Sequence, residues 1–235
     1  FAKAFDIQFS SETGSREYAW QTSWGSSTRL VGALIMAHGD DAGLRLPPAL
    51  APVEVVVVVV RESDATNAAA ADLVSSLRAA GRRVRLDDRV AVSFGRRAVE
   101  WELKGVPVRI EVGPRDLANG EVTVVRRDNL SKSSVAVDSA VGVALEFLDA
   151  IQAELLESAR SSRDSRTVSV SSVADVAPAV GDGGFALVPW SEVGVEGEAR
   201  LAGDGLSVRC LRRPDGSLAS SDDEADLVAV VAKSY

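Results

Sequence analysis

The hydrophobic pattern of the chain changes period several times, and each change predicts an element. Between Ser27 and Gly39 the apolar residues Leu30, Val31, Leu34, Ile35 and Met36 recur at the spacing of one helical face. Ser27 or Thr28 is placed to cap that helix, and His38-Gly39 ends it before Pro47-Pro48. The pattern by itself predicts a buried helix, preceded by a strand in YAWQTSWG and followed by the connector LRLPPALAP.

From residue 51 onward strand and helix signals alternate. VEVVVVVV carries no polar alternation, which predicts a central strand covered on both faces. SDATNAAAADLVSSLRAAG opens on Ser/Asp caps and closes on glycine, as a helix should. RRVRLDD is the next strand, FGRRAVEWELKG a helix, PVRIEVG and EVTVVRRD strands, and SAVGVALEFLDAIQAELLESAR a long amphipathic helix. This order predicts a three-layer α/β domain on a mixed sheet. SARSSRDSRTVSV then reads as a Ser/Arg-rich joint. Beyond it GDGGFALVPW, GEARLA, LSVRCLRR and ADLVAVVAKSY read as short strands with Gly turns, in a small α+β domain. There is no internal repeat. The division expected is 1–50, 51–160 and 161–235.

Composition narrows the class. The chain has 235 residues, 46% hydrophobic and 26% charged, enough for one large domain or two ordinary ones and too apolar for general disorder. Its longest apolar run, Val55 to Val60, is far short of the roughly 20 residues of a membrane helix, and no signal peptide opens it. Cys210 is the single cysteine, which excludes an internal disulfide and fits a reducing, cytoplasmic setting. Net charge is −8, against a nucleic-acid partner on its face. Its distribution points the other way: residues 78–132 hold thirteen Lys or Arg against eight Asp or Glu, whereas residues 175–235 hold five against eleven. The middle segment is therefore the part suited to facing phosphates.

Generic catalytic motifs are missing: no P-loop, no GxSxG, no HExxH and no dinucleotide-binding glycine pattern occurs. His38 is the only histidine, which leaves little room for a nucleophilic triad. Beside Asp40 and Asp41 it could ligate a metal, but a turn-capping role fits such a polar loop better.

The strings FAKAFDI, QTSWGSSTR, LIMAHGDDAGLRLPP and WELKGVPVRIEVGPRDL together carry a specific likeness. They resemble the C-terminal half of prolyl-tRNA synthetases of class II, in the form shared by archaea, eukaryotes and some bacteria. The resemblance covers nearly the whole chain. It implies the end of a class II catalytic antiparallel sheet over 1–50, an anticodon-binding domain over 51–160, and a C-terminal domain over 161–235. It also implies a ligase that charges tRNA(Pro) with L-proline through an adenylate formed from ATP with Mg2+, acting as a homodimer in its full-length form and without a membrane. Arg29 falls where the third signature motif sets a catalytic arginine against ATP, with Ser27 beside the nucleotide. That suits a guanidinium, which stays charged and can both pair with phosphate and stack on a purine. Ser23, Trp24 and Gly25 fall in the proline pocket, although simple core packing of Trp24 is an equal reading. Glu102, Arg109 and Arg115 fall where anticodon bases are read and Lys132 close to another such position; these types can pair with exposed base edges, and generic solvated charges are the alternative reading. His38, Asp40 and Asp41 receive no chemistry.

Three departures qualify the resemblance. Many members carry four zinc-binding cysteines in the last domain, whereas this chain offers Cys210 alone, with Ser191 and SLASSDDEAD where thiols would stand, so no zinc is expected. The first and second class II motifs do not occur, so the chain reads as a fragment without activity of its own. A non-catalytic tRNA-binding or regulatory paralogue is the alternative. A protein of the threonyl, histidyl or glycyl type fits the α/β domain but not HGDD-GL-LPP. The terminal tyrosine, Tyr235, matches one that docks near the active site in the family.

Overall fold

A computed structural model describes residues 1–234, so the expectation about Tyr235 lies outside the described residues. The chain opens with a short antiparallel hairpin, β1 (Gln8–Ser10) and β2 (Arg16–Tyr18), in which Gln8 faces Tyr18. The strand expected in YAWQTSWG stops at Tyr18, and residues 19–27 form no helix or strand. Helix α1 (Arg29–His38) follows as expected, but none of its residues is buried. Leu34 alone on the apolar face is half-covered, while Met36 is 81% exposed. The spacing forecast a helix correctly and its burial wrongly, because periodicity reports that a face is apolar and not that this chain supplies the surface to cover it. Thr28 rather than Ser27 is the N-cap residue, with no side-chain cap bond. Gly39 closes the helix in an extended conformation, and a Cβ there would stand 2.6 Å from the Ile35 carbonyl oxygen.

The next unit is a five-stranded mixed sheet. Its strands are β3 (Val55–Val59), β4 (Val84–Asp87), β5 (Val108–Val112), β6 (Glu121–Arg126) and β7 (Lys132–Ala136), in the order β4-β3-β5-β6-β7. The first three are parallel, with Val55 opposite both Val84 and Val108, and β6 and β7 add antiparallel. All five residues of β3 are buried, as its unbroken valine run requires.

Helix α2 (Asp64–Ala79) starts in a reciprocal cap: Thr66 N–H donates to Ser63 Oγ at 3.2 Å, and Ser63 N–H donates to Thr66 Oγ1 at 2.9 Å. Val55, Val57, Val59, Ile110 and Val124 pack on one face of the sheet against α2 and the later helix α5 (Ala140–Ser165). Val56 and Val58 point the other way, toward Trp101 of α3 (Phe94–Leu103). That gives the three layers anticipated. The short helix α4 (Pro114–Ala118) and strand β7 were not anticipated. The connector is bound to this unit, since Arg83 donates to the Pro48 and Ala51 carbonyls at 2.7 and 2.8 Å.

Two expectations fail further on. The Ser/Arg-rich joint is helical to Ser165, because α5 simply continues, its face set by Ala144, Leu148, Ile151 and Leu155. Helix α6 (Val176–Val180) and strands β8 (Thr167–Ser169) and β9 (Phe185–Pro189) come next. GEARLA, read as a strand, lies in helix α7 (Trp190–Gly203). Val193, Gly197 and Leu201 are buried at intervals of four, a helical period that the glycines disguised. Strands β10 (Leu206–Arg212) and β11 (Val228–Lys233) complete a separate four-stranded sheet of order β10-β11-β9-β8, with α6 and α7 on one face.

Candidate functional site

Strand alternation decides which side chains of the five-stranded sheet meet. Val108, Ile110, Val112, Val122, Val124 and Val135 enter the core beneath α2 and α5. Their neighbours Arg109, Glu111, Thr123, Lys132 and Ser134 therefore share the opposite face with α3. Val125 lies opposite Lys132, and Thr123 opposite Ser134, in the β6–β7 pairing.

Arg109 is 5% exposed and held on three sides. Its Nη1 donates to Glu102 Oε1 at 2.9 Å and to the Ala98 carbonyl at 3.4 Å, and its Nε donates to Glu111 Oε1 at 2.9 Å. Arg115, second in α4, and Lys132, first in β7, are both exposed, and neither forms an ion pair among the described residues. A hollow of about 330 Å³ opens where the chain leaves β3 and β5, lined by Arg61, Phe94, Glu111, Gly113, Arg115 and Asp116. It sits at the carboxyl ends of neighbouring parallel strands whose crossovers diverge, the usual crevice for ligands in open α/β sheets. Arg61 and Phe94 were not anticipated. Their signal in the sequence was only position, immediately after a parallel strand and at the start of a helix.

The positive balance of residues 78–132 is largely neutralised in place. Arg82 and Arg83 pair with Glu54, Arg89 and Arg97 with Asp87, Arg109 with Glu102 and Glu111, and Arg126 with Asp128 and Glu154. What remains without such a partner among the described residues includes Arg78, Arg96, Arg115 and Lys132. Composition counted the charges, while burial decided which of them face solvent.

The turn after α1 is tied to this same unit. Arg127, whose side chain is 2% exposed, donates through both Nη atoms to Asp40, at 2.9 and 2.6 Å, and through Nε to the Glu102 carbonyl at 2.9 Å. The Arg127 hydrogen bonds, with the Ala42 N–H and the Arg45 charge, hold the Asp40 carboxyl below its ordinary range. His38 is pushed below its ordinary value by partial burial and by the Arg45 charge. Arg29 is exposed at the first position of α1, its N–H 3.4 Å from Ser27 Oγ. Ser23 lines a hollow of about 380 Å³ with Phe1, Phe5, Ile7, Gln21 and Thr22. Trp24 stands outside it and is 94% exposed, so core packing of Trp24 within this chain is ruled out.

Comparison with known proteins agrees with this geometry. Residues 54–147 match the anticodon binding domain model, a span that coincides with the five-stranded unit. The chain is 52% identical over 236 residues to the proline–tRNA ligase of Frankia alni and 51% identical over 235 residues to proline–tRNA ligase 2 of Streptomyces avermitilis. The chain matches the C-terminal half of prolyl-tRNA synthetases. All of it aligns in both cases, yet it spans only 50% of the length of either relative. Prolyl-tRNA synthetase of Cryptosporidium parvum, solved with halofuginone and AMPPNP and again with L-proline and AMP, superposes with a TM-score of 0.84 in both structures. Sequence identity there is 29% and 30%, with 100% of this chain and 51% and 52% of the other covered.

The last unit holds one thiol and a set of acidic side chains. Ser191, Glu224, Asp226 and Trp190 border a hollow of about 470 Å³, and Cys210 lies in β10 as an isolated thiol. Instead, the loop between β10 and β11 is closed by a two-point ion pair. Arg213 Nε and Nη2 donate to Glu224 at 2.6 and 2.9 Å, and Glu224 Oε1 also accepts from Ser220 N–H at 2.7 Å. Among the described residues, no group of three or more His, Cys, Asp or Glu side chains is arranged to hold a metal ion, and no helix is long and apolar enough to cross a membrane.

Proposed function

We propose that the full-length protein carrying this chain is a class II ligase that charges tRNA(Pro) with L-proline. In that reaction the proline carboxylate attacks the α-phosphorus of Mg2+-bound ATP, pyrophosphate leaves, and a terminal hydroxyl of tRNA then attacks the prolyl-adenylate carbonyl and releases AMP. Arg29 is assigned to the ATP phosphates and adenine, Ser27 to the nucleotide, and Ser23, Trp24 and Gly25 to the proline pocket. Trp24 lies in the irregular segment before α1 and Arg29 at its first position, and both are exposed in this chain.

Anticodon reading is assigned to Glu102, Arg109, Arg115 and Lys132. The observation that carries this reading is the Glu102–Arg109 pair at 2.9 Å inside the segment that matches an anticodon-binding domain. Arg109 is preorganised there by two carboxylates, while Arg115 and Lys132 are exposed, form no ion pair among the described residues and can meet phosphate or base edges. Residues 1–50, 51–160 and 161–235 then act as catalytic end, anticodon-binding domain and C-terminal domain of a homodimer. No zinc is assigned, since one thiol and scattered hydroxyls do not match its preferred ligands. The lone cysteine fits a reducing, cytoplasmic compartment.

The decisive experiment runs proline-dependent ATP–pyrophosphate exchange beside tRNA charging. Arg29→Ala should abolish exchange, a step that needs no tRNA, because losing a charge-assisted contact in the transition state costs several kcal/mol, about 3 or more. Arg109→Ala should leave exchange intact and raise the tRNA concentration needed for charging by about 1–3 kcal/mol equivalent, with relaxed preference at one anticodon position. Lys132→Ala should act more weakly and less selectively. Loss of exchange in Arg109→Ala with retention in Arg29→Ala would refute both assignments.

A further inference from the structure

Between α1 and the anticodon-reading pair runs a continuous set of contacts. Asp40 follows the end of α1 by two residues, and the segment Asp40–Leu46 lies along the loop that leaves α3. Leu44 N–H donates to the Leu103 carbonyl at 3.1 Å, and Leu46 N–H donates to the Gly105 carbonyl at 3.2 Å. The two backbones touch so closely that a Cβ on Gly43 would lie 2.6 Å from Leu103 Cα, and one on Gly105 would lie 2.6 Å from Leu44 Cβ. Arg127 locks this contact, with its two Nη atoms on Asp40 and its Nε on the carbonyl of Glu102. Glu102 is thus held at both ends: its carbonyl by Arg127 and its carboxylate by Arg109.

We propose that the Asp40–Arg127 pair is a positioning element that transmits the state of the Glu102–Arg109 pair to helix α1 and Arg29. This rests on the functional reading above. Glu102 cannot shift its carboxylate toward a base and carry its backbone along without altering a hydrogen bond of Arg127, and Arg127 cannot turn without releasing Asp40. The Arg127 side chain is 2% exposed and its three donors are committed to Asp40 and Glu102, so it has few alternative partners, whereas Asp40 is 32% exposed and also pairs with Arg45 at 3.6 Å. The geometry also gives the Asp-Asp turn after α1 a role that its sequence did not reveal.

The test uses the full-length protein and the variant Asp40→Asn, which keeps an oxygen to accept the Ala42 N–H bond, 2.9 Å in the wild type, while removing the charge that Arg127 grips. Proline-dependent exchange without tRNA should stay within about twofold of wild type. Turnover in charging of tRNA(Pro) should fall by about tenfold, a typical size for coupling between sites. The penalty for an altered anticodon, measured as a ratio of charging rates, should shrink by a similar factor. Asp40→Glu, which restores the charge, should recover most of both. Combining Asp40→Asn with Arg109→Ala should add little to the charging defect of Arg109→Ala alone. If exchange and charging fall together, the pair merely seats α1, and the proposal is wrong. Unchanged charging and unchanged anticodon discrimination would overturn it equally. A wild-type protein that performs neither exchange nor charging would instead refute the synthetase reading, and this inference with it.

Discussion

Asp87 ends β4 with a carboxylate that is fully buried yet surrounded by donors. Trp101 Nε1 reaches it at 2.6 Å, Arg89 at 2.8 Å through Nη2, and Arg97 at 3.3 Å through Nη1. The Arg97 side chain is 1% exposed and also donates to the Val59 carbonyl at 2.9 Å, so one guanidinium joins the ends of β3 and β4. Asp87→Asn removes the charge that balances Arg97 and turns an amide N–H2 toward donors. Arg89 is 46% exposed, so solvent screening leaves it a minor share. The buried Arg97 pair and the Trp101 bond dominate, and breaking a buried pair costs about 3–5 kcal/mol. At about 1.4 kcal/mol per decade, amide hydrogen exchange in β3 at neutral pH should accelerate by roughly two to nearly four powers of ten. The pH dependence supplies a second signature. Burial alone would raise the Asp87 carboxyl, but the hydrogen bonds from Arg89 and Trp101 and the Arg89 charge outweigh it and hold the group far below the ordinary carboxylate range. A depressed folded value means that its stabilisation is complete above the unfolded value of about 3.9 and is lost as the pH falls below it. The gap between wild type and Asp87→Asn should therefore be constant from about pH 7 to 5 and narrow below about 4. Acceleration of less than tenfold at neutral pH, or a gap that widens in acid, would refute the reasoning.

Other outcomes follow from single positions. Gly43→Ala places a Cβ at φ of 121° and 2.6 Å from Leu103 Cα, so it should cost about 1–3 kcal/mol and speed exchange of the Leu44 and Leu46 amides. Gly142→Ala should do the reverse, since a Cβ there meets nothing within 4 Å in the first turns of α5: a gain of up to about 1 kcal/mol and a midpoint raised by about 2–4 °C. Arg213→Ala should leave overall stability nearly unchanged, because its ion pair with Glu224 is solvated, yet it should abolish protection of the Ser220 amide. Elemental analysis should find no zinc, and about one per chain would overturn the reading of the last unit.

The anticipated fold came through best where the signal was local and repetitive. Six consecutive valines from Val55 to Val60 have no plausible place except a strand buried on both sides, and β3 is an inner strand of its sheet. Ser63 and Thr66 three residues apart announce a capped helix without help from the rest of the chain. Strand β7 carries a weaker local signal, since its serines blur the alternation, yet it obeys the period of two with Val135 packed inward. GEARLA reads as a short strand but is helical, because Gly197 is buried where a Cβ would stand 3.3 Å from Val193 Cγ1, which makes it a helix-packing contact.

The candidate site divides in the same manner. Residue types at Arg29, Glu102, Arg109, Arg115 and Lys132 were legible, because a guanidinium, an ammonium or a carboxylate carries its chemistry wherever it sits. Whether each charge is available was not. Arg109 proved buried between two carboxylates, and Arg115 proved exposed, although both lie in one basic segment. Asp40 and Arg127 are 87 positions apart, and no local pattern relates them. The sequence by itself determined the periodic elements, the caps and the inventory of charges, since these depend on neighbours within a few residues. Only the tertiary structure decided which charges are paired, which apolar faces are covered and that Glu102 joins Arg109 to Asp40 through Arg127, because those depend on which distant segments the sheet brings to the same side.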